Sequence, residues 1–334
     1  MTPPPGLDLE RLARHLGTGP LTAALIPGGR SNLTYRVTDG ARRWVLRRPP
    51  LGHVLATAHD MAREHRVLAA LAGTAVPVPA VEGLCEDTDV LGAPFYLMSD
   101  MPGQALRHRD QCPWLTPGHA RDLSDRLVDV LADLHAVDPD SVGLADFGRP
   151  EGFLARQVAR WGKQLDASRS RDLPGVDALR ATLADTVPTS RRAAIVHGDY
   201  RLDNVLVTAD PVGISAVLDW EMATLGDPLA DLGLLRVYWE GVGLEDDPIT
   251  GTVPGLPGFA DADGLVRRYA ERSGTDVSGL GWYTAFGYFK LAVILEGIHY
   301  RYTTGHTVGA GFDRIGDLTV PLVRRGLAET RREH

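Results

Sequence analysis

Two short polar segments carry the side chains of this chain that are best suited to chemistry. Residues 197–204 read HGDYRLDN, and residues 218–221, which follow a short apolar stretch, read LDWE. Phosphoryl transfer needs such a set of groups. One carboxylate accepts the proton of an attacking hydroxyl, while an amide and another carboxylate hold Mg²⁺ on nucleotide phosphates. The two segments therefore indicate a phosphoryl-transfer site.

The stretch between the two segments indicates how they come together. Residues 205–207 and 213–218 read as strands joined by a turn at 208–211. Such a hairpin returns Asp219 to the side of Asn204, so that both can reach one metal ion. Asp and Asn in turns also cap local backbone donors, which is the alternative for either segment alone. The two segments in this order, with a hairpin between them, favour the metal site.

The sequence HGDYRLDNVLV…VLDWEMATLGDPLADLG resembles the catalytic loop of the aminoglycoside phosphotransferase and choline kinase group. These are small-molecule kinases with a protein-kinase-like fold. The segment is especially similar to the branch that includes the kinase-like domains fused to acyl-CoA dehydrogenases. The resemblance runs from about Leu21 to about Gly305. It implies a two-lobed α+β fold, with a small β-rich N-terminal lobe and a larger, mainly helical C-terminal lobe.

The resemblance also implies a role for each polar residue of the two segments. Asp199 is the catalytic base, or the group that orients the substrate hydroxyl. Asn204 and Asp219 ligate Mg²⁺ between the phosphates of ATP. His197 supports the loop. Asp203 is either a group that supports the metal ligands or a simple cap, and the cap is the expected role.

Two departures from the protein-kinase pattern narrow the class of substrate. The loop reads H-G-D where regulated protein kinases have H-R-D, and the second motif reads D-W-E with no A-P-E after it. A phosphorylation-controlled protein kinase is therefore not expected, and a small hydroxylated metabolite is the expected substrate. Further along, Asp227 and Asp231 are expected to cap the next helix and to tie down the catalytic loop.

Hydrophobic patterning predicts the elements that position these residues. We expect a nucleotide-binding lobe at residues 1–100 and a catalytic and substrate-binding lobe at residues 101–334, because helical spacing dominates after residue 103. At the junction, main-chain groups of Ser99 and Met101 either pair with the adenine edge or form a plain strand-exit turn. The predicted strands are 21–26, 33–38, 43–48, 81–86 and 94–98, and the predicted N-terminal helices are 8–16 and 59–71.

A glycine-containing turn between the first two strands is the candidate phosphate loop. Gly28 and Gly29 let backbone N–H groups approach an anion, and Ser31 and Asn32 can add side-chain donors. The turn is neither a G-x-G-x-x-G motif nor a Walker A loop, and Gly-Gly between strands is also a common hairpin turn. The stretch PGGRSNLTYRV resembles the nucleotide loop of the family, which favours nucleotide binding.

The third predicted strand occupies the position of the kinase V-A-I-K strand. Alternation places Val45 and Arg47 on one face, so Val45 can lie over adenine while Arg47 reaches the phosphates. Arginine stands here in place of lysine, and Arg48 competes for the same role. Glu64, on the following helix, is the expected ion-pair partner, and a solvated surface charge is the alternative.

Substrate specificity is expected to come from the helical C-terminal part. Tyr238 lies close behind the catalytic segment, and a late helix begins near Trp282. On that helix, Lys290 and Glu296 are expected to lie on a solvated side, away from an apolar stripe. The acidic residues 245–247 can attract a cationic amine substrate, but a solvated turn is the expected role.

The amino-acid composition indicates which compartment and which partners to expect. The 334 residues are 44% hydrophobic and 23% charged, with a net charge of −8, so we expect neither nucleic acid nor a membrane as partner. Met1–Leu7 lacks the pattern of a signal peptide. Cys85 and Cys112, the two cysteines, fit a reducing compartment, which predicts a cytoplasmic protein. A monomer and a homodimer both remain open.

Two other functions compete with an ATP- and Mg²⁺-dependent small-molecule kinase. Gly198-Asp199 and Asp203-Asn204 superficially resemble a dinuclear metallophosphoesterase motif. That enzyme needs an upstream D-x-H on a strand and further histidines, and His53, His59 and His65 do not provide the D-x-H. A catalytically weak nucleotide-binding regulatory module is the other alternative, favoured only by the missing strand lysine.

Overall fold

The N-terminal third of the chain forms one antiparallel sheet in the computed structural model. The structure describes residues 4–27, 32–51, 60–241, 251, 253–305 and 314–332. The strands are β1 (Thr22–Leu25), β2 (Leu33–Thr38), β3 (Arg43–Arg48), β4 (Val81–Cys85), β5 (Phe95–Ser99), β6 (Ala194–Val196), β7 (Val205–Ala209), β8 (Val212–Val217) and β9 (Thr224–Gly226). The helices are α1 (Leu9–Leu16), α2 (Met61–Leu71), α3 (Thr88–Leu91), α4 (Pro117–Ala136), α5 (Phe153–Ser168), α6 (Val176–Asp185), α7 (Leu229–Glu240), α8 (Ala262–Ser273), α9 (Leu280–Thr303) and α10 (Thr319–Arg332).

The two faces of this sheet have different surroundings. The strand order is β1-β2-β3-β5-β4, with antiparallel pairing throughout. Successive side chains of a strand point to opposite faces. Trp44 and Leu46 of β3 therefore join Tyr35 of β2 and Leu12 of α1 in an apolar core on one face. The alternate residues of β3, among them Arg47, point to the other face, away from this apolar core.

Local signals explain where the first helices begin. The Asp8 side chain accepts a hydrogen bond from the N–H of Arg11 and starts α1, while Asp60 does the same for Arg63 and starts α2. The bounds of β2 and β3 are those predicted from the sequence. The short helix α3 was not predicted, although Asp87 caps it in the same way.

The chain divides into two compact units. Unit 1 comprises residues 1–103 together with 215–223, and unit 2 comprises 104–214 and 224–334. The chain passes from unit 2 back to unit 1 within β8, so Asp219 belongs to the unit that holds the five-stranded sheet. The predicted fold class, a small antiparallel sheet with a larger helical part, is confirmed. The domain boundary at residues 100 and 101 stays a prediction.

Unit 2 is built around α9. Helices α7 and α10 pack on it extensively, and the residues from 282 to 293 are all buried. The sequence predicted that Lys290 and Glu296 lie on a solvated side of this helix, and that prediction is wrong. Lys290 and Glu296 are buried because protein surrounds this part of the helix. Each has a polar partner: Lys290 binds a backbone carbonyl described below, and Glu296 pairs with Arg171 at 2.8 Å.

Unit 2 also holds the elements around the polar segment at residues 197–204. The strand β6 leads into it and pairs with β9, and β7 leaves it. Residues Leu202–Asn204 form a single 3₁₀ turn between them. Among the residues that the structure describes, no helix is both long and apolar enough to span a membrane.

Candidate active site

Arg47 is the centre of a buried charged cluster in unit 1. Its Nε donates to Glu64 Oε2 at 2.8 Å, and its Nη2 donates to Asp219 Oδ1 at 2.5 Å. Glu221 Oε2 lies 3.9 Å from Nη2. Three carboxylates thus surround one guanidinium. We call Arg47, Glu64, Asp219 and Glu221 the Arg47 cluster.

Electrostatics keep Arg47 charged. Burial alone would lower the pKa of Arg47, but the Glu64 and Asp219 carboxylates outweigh burial and raise it. Burial raises the pKa of Glu64, and the charge of Arg47 opposes that rise. The predicted ion pair between these two residues is therefore confirmed, and Glu64 is not a solvated surface charge.

Arg48 is used differently from Arg47. Its side chain lies in the N-terminal part of unit 1, where Nη1 donates to the carbonyl of Gly6 and, at 2.9 Å, to that of Leu91. Because neighbouring residues of a strand point to opposite faces, only one of the two arginines can reach Glu64 and Asp219. Arg48 fixes the residues before α1 and the end of α3.

The backbone at Asp219 is unusual. This residue has φ 66° and ψ 62°, the left-handed region that non-glycine residues rarely adopt. Trp220, directly after it, is buried and donates from Nε1 to the carbonyl of Val217 at 3.0 Å. A strained backbone held in place by packing is a common feature of functional sites. Within the described residues, no donor binds Asp219 Oδ2.

Of the residues expected to bind phosphate in the candidate phosphate loop, Asn32 is the one that the structure describes. Asn32 is buried, and its Nδ2 donates to Glu64 Oε1 at 3.0 Å and to Glu221 Oε2 at 3.2 Å. Its amide thus bridges two carboxylates of the Arg47 cluster, an arrangement that the sequence did not indicate. Gly28, Gly29 and Ser31 lie outside the described residues.

The candidate adenine-facing residues lie on β3 and at the end of β5. Val45 is buried and pairs with Met98 in the register that pairs Arg47 with Tyr96. The N–H of Ser99 donates to the carbonyl of Ala80 at 2.8 Å. The main-chain contribution of Ser99 to a ligand is therefore limited to its carbonyl group. In the described part of the chain, no main-chain hydrogen bond involves Met101, whose N–H remains available there.

Asp199 is held through both of its carboxylate oxygens in unit 2. The hydroxyl of Tyr238 donates to Oδ1 at 2.8 Å, and Nδ2 of Asn204 donates to Oδ2 at 2.9 Å. The same Nδ2 also donates to the main-chain carbonyl of Asp199 at 2.8 Å. This orients the Asn204 amide and leaves its oxygen for another partner. Tyr238, which the sequence suggested only for substrate binding, is thus a direct partner of Asp199.

The backbone before Asp199 is fixed by a buried aspartate on α7. Asp231 accepts from the N–H of His197 at 2.6 Å and from that of Gly198 at 2.8 Å. Burial would raise the pKa of Asp231, but the hydrogen bond and charge of His135, 3.3 Å away, together with His197, lower it. The prediction that Asp231 ties down the loop at residues 197–204 is confirmed, but Asp231 does not cap α7, because its carboxylate binds the loop and His135 instead.

The other acidic residues of the segment have separate tasks. Asp227 accepts from the N–H of Leu229, the first residue of α7, at 3.0 Å, but the residue in the cap position is Pro228. Asp203 is not a simple cap, because it is buried and lies 3.2 Å from Arg201 Nη2 and 3.8 Å from Arg107 Nε. Arg107 could not be paired with it from the sequence, since the two residues lie on different elements far apart in the chain.

Comparisons with known proteins identify a family model and several similar chains. The model of the family described as the APH phosphotransferase enzyme family matches residues 22–252. Acyl-CoA dehydrogenase family member 10 from Mus musculus is 35% identical over 90% of this chain. The match covers only 28% of that relative, so this chain spans less than a third of its length.

Solved structures give the same result. A protein from Ralstonia eutropha, provisionally described as an aminoglycoside phosphotransferase, is 32% identical with a TM-score of 0.83, covering 97% of this chain and 98% of that one. Aminoglycoside phosphotransferase APH(4)-Ia in ternary complex with AMP-PNP and hygromycin B is 18% identical with a TM-score of 0.62, covering 97% of both chains. The second likeness shows the fold alone. With the family model matching most of its length, this chain belongs to the APH phosphotransferase enzyme family.

Proposed function

We propose that this protein is an ATP- and Mg²⁺-dependent phosphotransferase that moves the γ-phosphate to a hydroxyl group of a small molecule. The observation that carries the proposal is the fixed carboxylate of Asp199, which has a donor on each oxygen. A carboxylate oriented in this way can accept the proton of a hydroxyl as the hydroxyl attacks a phosphoryl group. Family membership supports the phosphotransferase class.

The nucleotide would be held by unit 1. The carbonyl of Ser99 and the N–H of Met101 offer the acceptor and the donor that an adenine edge requires, and Val45 would pack against the ring. Arg47 would bind phosphate oxygens, because a guanidinium keeps its charge and can bind two oxygens at once. Glu64 holds that guanidinium in place at 2.8 Å.

The phosphate loop completes this part of the proposal. Gly28, Gly29 and Ser31 would approach the phosphates through backbone and hydroxyl donors. Asn32 would act as an anchor for the loop rather than as a phosphate donor, because its amide already binds Glu64 and Glu221.

The donor set fits magnesium. Asn204 offers an amide oxygen and Asp219 a carboxylate oxygen, and hard oxygen ligands of this kind are what Mg²⁺ prefers. The bound ion would neutralise charge on the phosphates during transfer. The Arg47 cluster supports this assignment, because its three carboxylates exceed its single guanidinium and favour a further cation near Asp219.

The test is nucleotide turnover with Mg²⁺ across a panel of alcohols. The panel contains aminoglycosides, choline and ethanolamine, sugars, homoserine, and hydroxyacids with their CoA thioesters, the last included because of the name of the mouse relative. Asp199→Asn keeps the size of the side chain but removes the base. Asp210→Asn, at an exposed position of the β7–β8 turn, is the matched control.

Each outcome decides a part of the proposal. Turnover that one class of alcohol stimulates, and that Asp199→Asn loses while Asp210→Asn keeps it, supports the proposed function and identifies the acceptor. Mg²⁺-dependent nucleotide binding without stimulated turnover favours the regulatory module instead. No binding of any nucleotide refutes the proposal.

A further inference from the structure

Lys290 is an unusual residue in this chain. The sequence contains 35 lysines and arginines, and only Lys163 and Lys290 are lysines. Lys163 is exposed on α5, whereas Lys290 is 5% exposed in the middle of α9. The chain thus uses arginine for nearly every cation and keeps lysine at one enclosed position. An ammonium group is compact, while a guanidinium is a broad planar fork.

The ammonium group of Lys290 contacts the catalytic loop. Nζ donates to the carbonyl of Gly198 at 2.5 Å, and it lies 5.3 Å from the centre of the Trp161 ring. Within the described residues, no carboxylate lies within ion-pair distance of Nζ. The one strong polar partner that the described residues offer this cation is therefore a backbone carbonyl of the segment that carries Asp199.

That carbonyl belongs to the peptide unit that joins Gly198 to Asp199. The N–H of the same unit donates to Nδ1 of His197 at 3.2 Å. Gly198 has φ 82°, a conformation that favours glycine. Because glycine has no side chain, packing of Gly198 itself cannot fix the direction of this peptide unit. Lys290 holds one end of the unit and His197 holds the other. Together they set the direction in which the Asp199 side chain leaves the backbone.

Burying this cation works against stability. Burial lowers the pKa of Lys290, although the charges of Asp199 and Asp231 oppose that change. A buried charge without a carboxylate partner is costly, and an apolar side chain of similar length often fits such a place with equal or greater stability. The position of Lys290 is therefore poorly explained by folding alone.

We propose that Lys290 is a positioning residue that orients the catalytic Asp199 by holding the Gly198–Asp199 peptide unit. The inference rests on the proposed phosphotransferase function and adds a residue from α9 to it. Lys290 touches no reacting atom in this account. It acts only through the backbone of the catalytic loop.

The experiment compares the parent protein with Lys290→Met and with the surface control Lys163→Met. Three quantities are measured: kcat and KM for nucleotide and acceptor, the thermal midpoint, and hydrogen exchange of a peptide covering residues 197–202. For Lys290→Met we expect kcat to fall roughly 10- to 100-fold, as for a small displacement of a catalytic group, with both KM values within about twofold. We also expect an equal or higher midpoint and faster exchange in the loop peptide. Lys163→Met should match the parent in all three.

The opposite results overturn the proposal. A Lys290→Met protein with the kcat of the parent, or one whose lower kcat comes with a lower midpoint and unchanged exchange, makes Lys290 a structural residue. If Lys290→Met does not fold, Lys290→Gln is used in its place, and failure of both to fold also overturns the positioning role. A parent without turnover refutes the proposed function separately, and loop exchange then decides the role of Lys290 by itself.

Discussion

Replacing Asp231 by Asn should destabilise the protein far more than the same change at Asp227. Both aspartates are buried near the start of α7, four residues apart, and each accepts a backbone N–H. Their second partners differ in kind. Asp231 accepts a second backbone N–H, that of His197 at 2.6 Å, whereas Asp227 accepts the hydroxyl of Tyr283 at 2.8 Å.

The magnitude follows from what an amide can accept. Asn has one acceptor oxygen and one NH₂ donor. In Asp231→Asn the NH₂ must therefore face a backbone N–H, which can only donate a hydrogen bond. One charge-assisted hydrogen bond is lost and one buried donor is left unpaired, together about 3 to 5 kcal/mol. The hydroxyl of Tyr283 can rotate and accept instead of donating. Asp227→Asn should therefore cost only about 1 kcal/mol.

The assay is urea denaturation followed by the helical circular dichroism signal, with both variants measured beside the parent protein. An unfolding free energy of Asp231→Asn within about 1 kcal/mol of the parent value, or equal destabilisation of the two variants, would show that Asp231 is not the anchor of this loop. Unchanged hydrogen exchange at residues 197–199 in Asp231→Asn would show the same, because those residues should exchange faster once their anchor is lost.

Asp231 should also make the unfolding free energy of the protein depend on pH. The pKa of Asp231 is lowered from its ordinary value of 3.8, so the unfolded chain takes up the proton first as the solution is acidified. The stability that Asp231 contributes is complete above the unfolded-state pKa of 3.8, and it is lost as the pH falls through the lower pKa of the folded state. The difference in unfolding free energy between parent and Asp231→Asn should be constant near neutrality and should narrow below pH 3.8.

Three further variants probe Asp199 in unit 2 and the two arginines of β3 in unit 1. Tyr238→Phe removes the hydroxyl that binds Asp199 and should lower kcat about tenfold at unchanged KM for nucleotide; an unaltered kcat would mean that this bond does not matter for transfer. Arg47→Met should raise the KM for nucleotide and cost about 3 kcal/mol by leaving Glu64 buried without its cation. Adding Glu64→Leu should recover only part of that stability in denaturation experiments, because the hydroxyl of Tyr96 and Nδ2 of Asn32 then lose an acceptor. Arg48→Met should cost about 2 kcal/mol but leave the KM for nucleotide unchanged, and a raised KM would show that the two arginines had been assigned the wrong way round.

Much of unit 1 could be predicted because its signals are local. Apolar alternation set the bounds of β2 and β3, and alternation within β3 separated Arg47 from Arg48. The partner of Arg47 could be named because Glu64 lies on the next helix. The sequence could not decide which arginine faced that helix, since both faces of β3 are covered by protein.

The errors come from contacts between distant parts of the chain. Lys290 was expected in solvent because a charged residue on a helix usually is, but protein encloses the part of α9 that carries it. Its partner, the carbonyl of Gly198, lies 92 residues away and has no signature in the sequence. The hydroxyl contact between Tyr238 and Asp199 spans 39 residues and was missed for the same reason.

The proposed transfer of the γ-phosphate to an acceptor hydroxyl is tested most directly by following the phosphate itself. ATP labelled at the γ-position is incubated with Mg²⁺, an acceptor alcohol from the panel, and either the parent protein, Asp199→Asn or Asp210→Asn. We expect labelled phosphate on the acceptor hydroxyl with the parent and with Asp210→Asn, and almost none with Asp199→Asn. Equal labelling by Asp199→Asn, or release of the label only as inorganic phosphate, would show that Asp199 is not the base of a transfer to the acceptor.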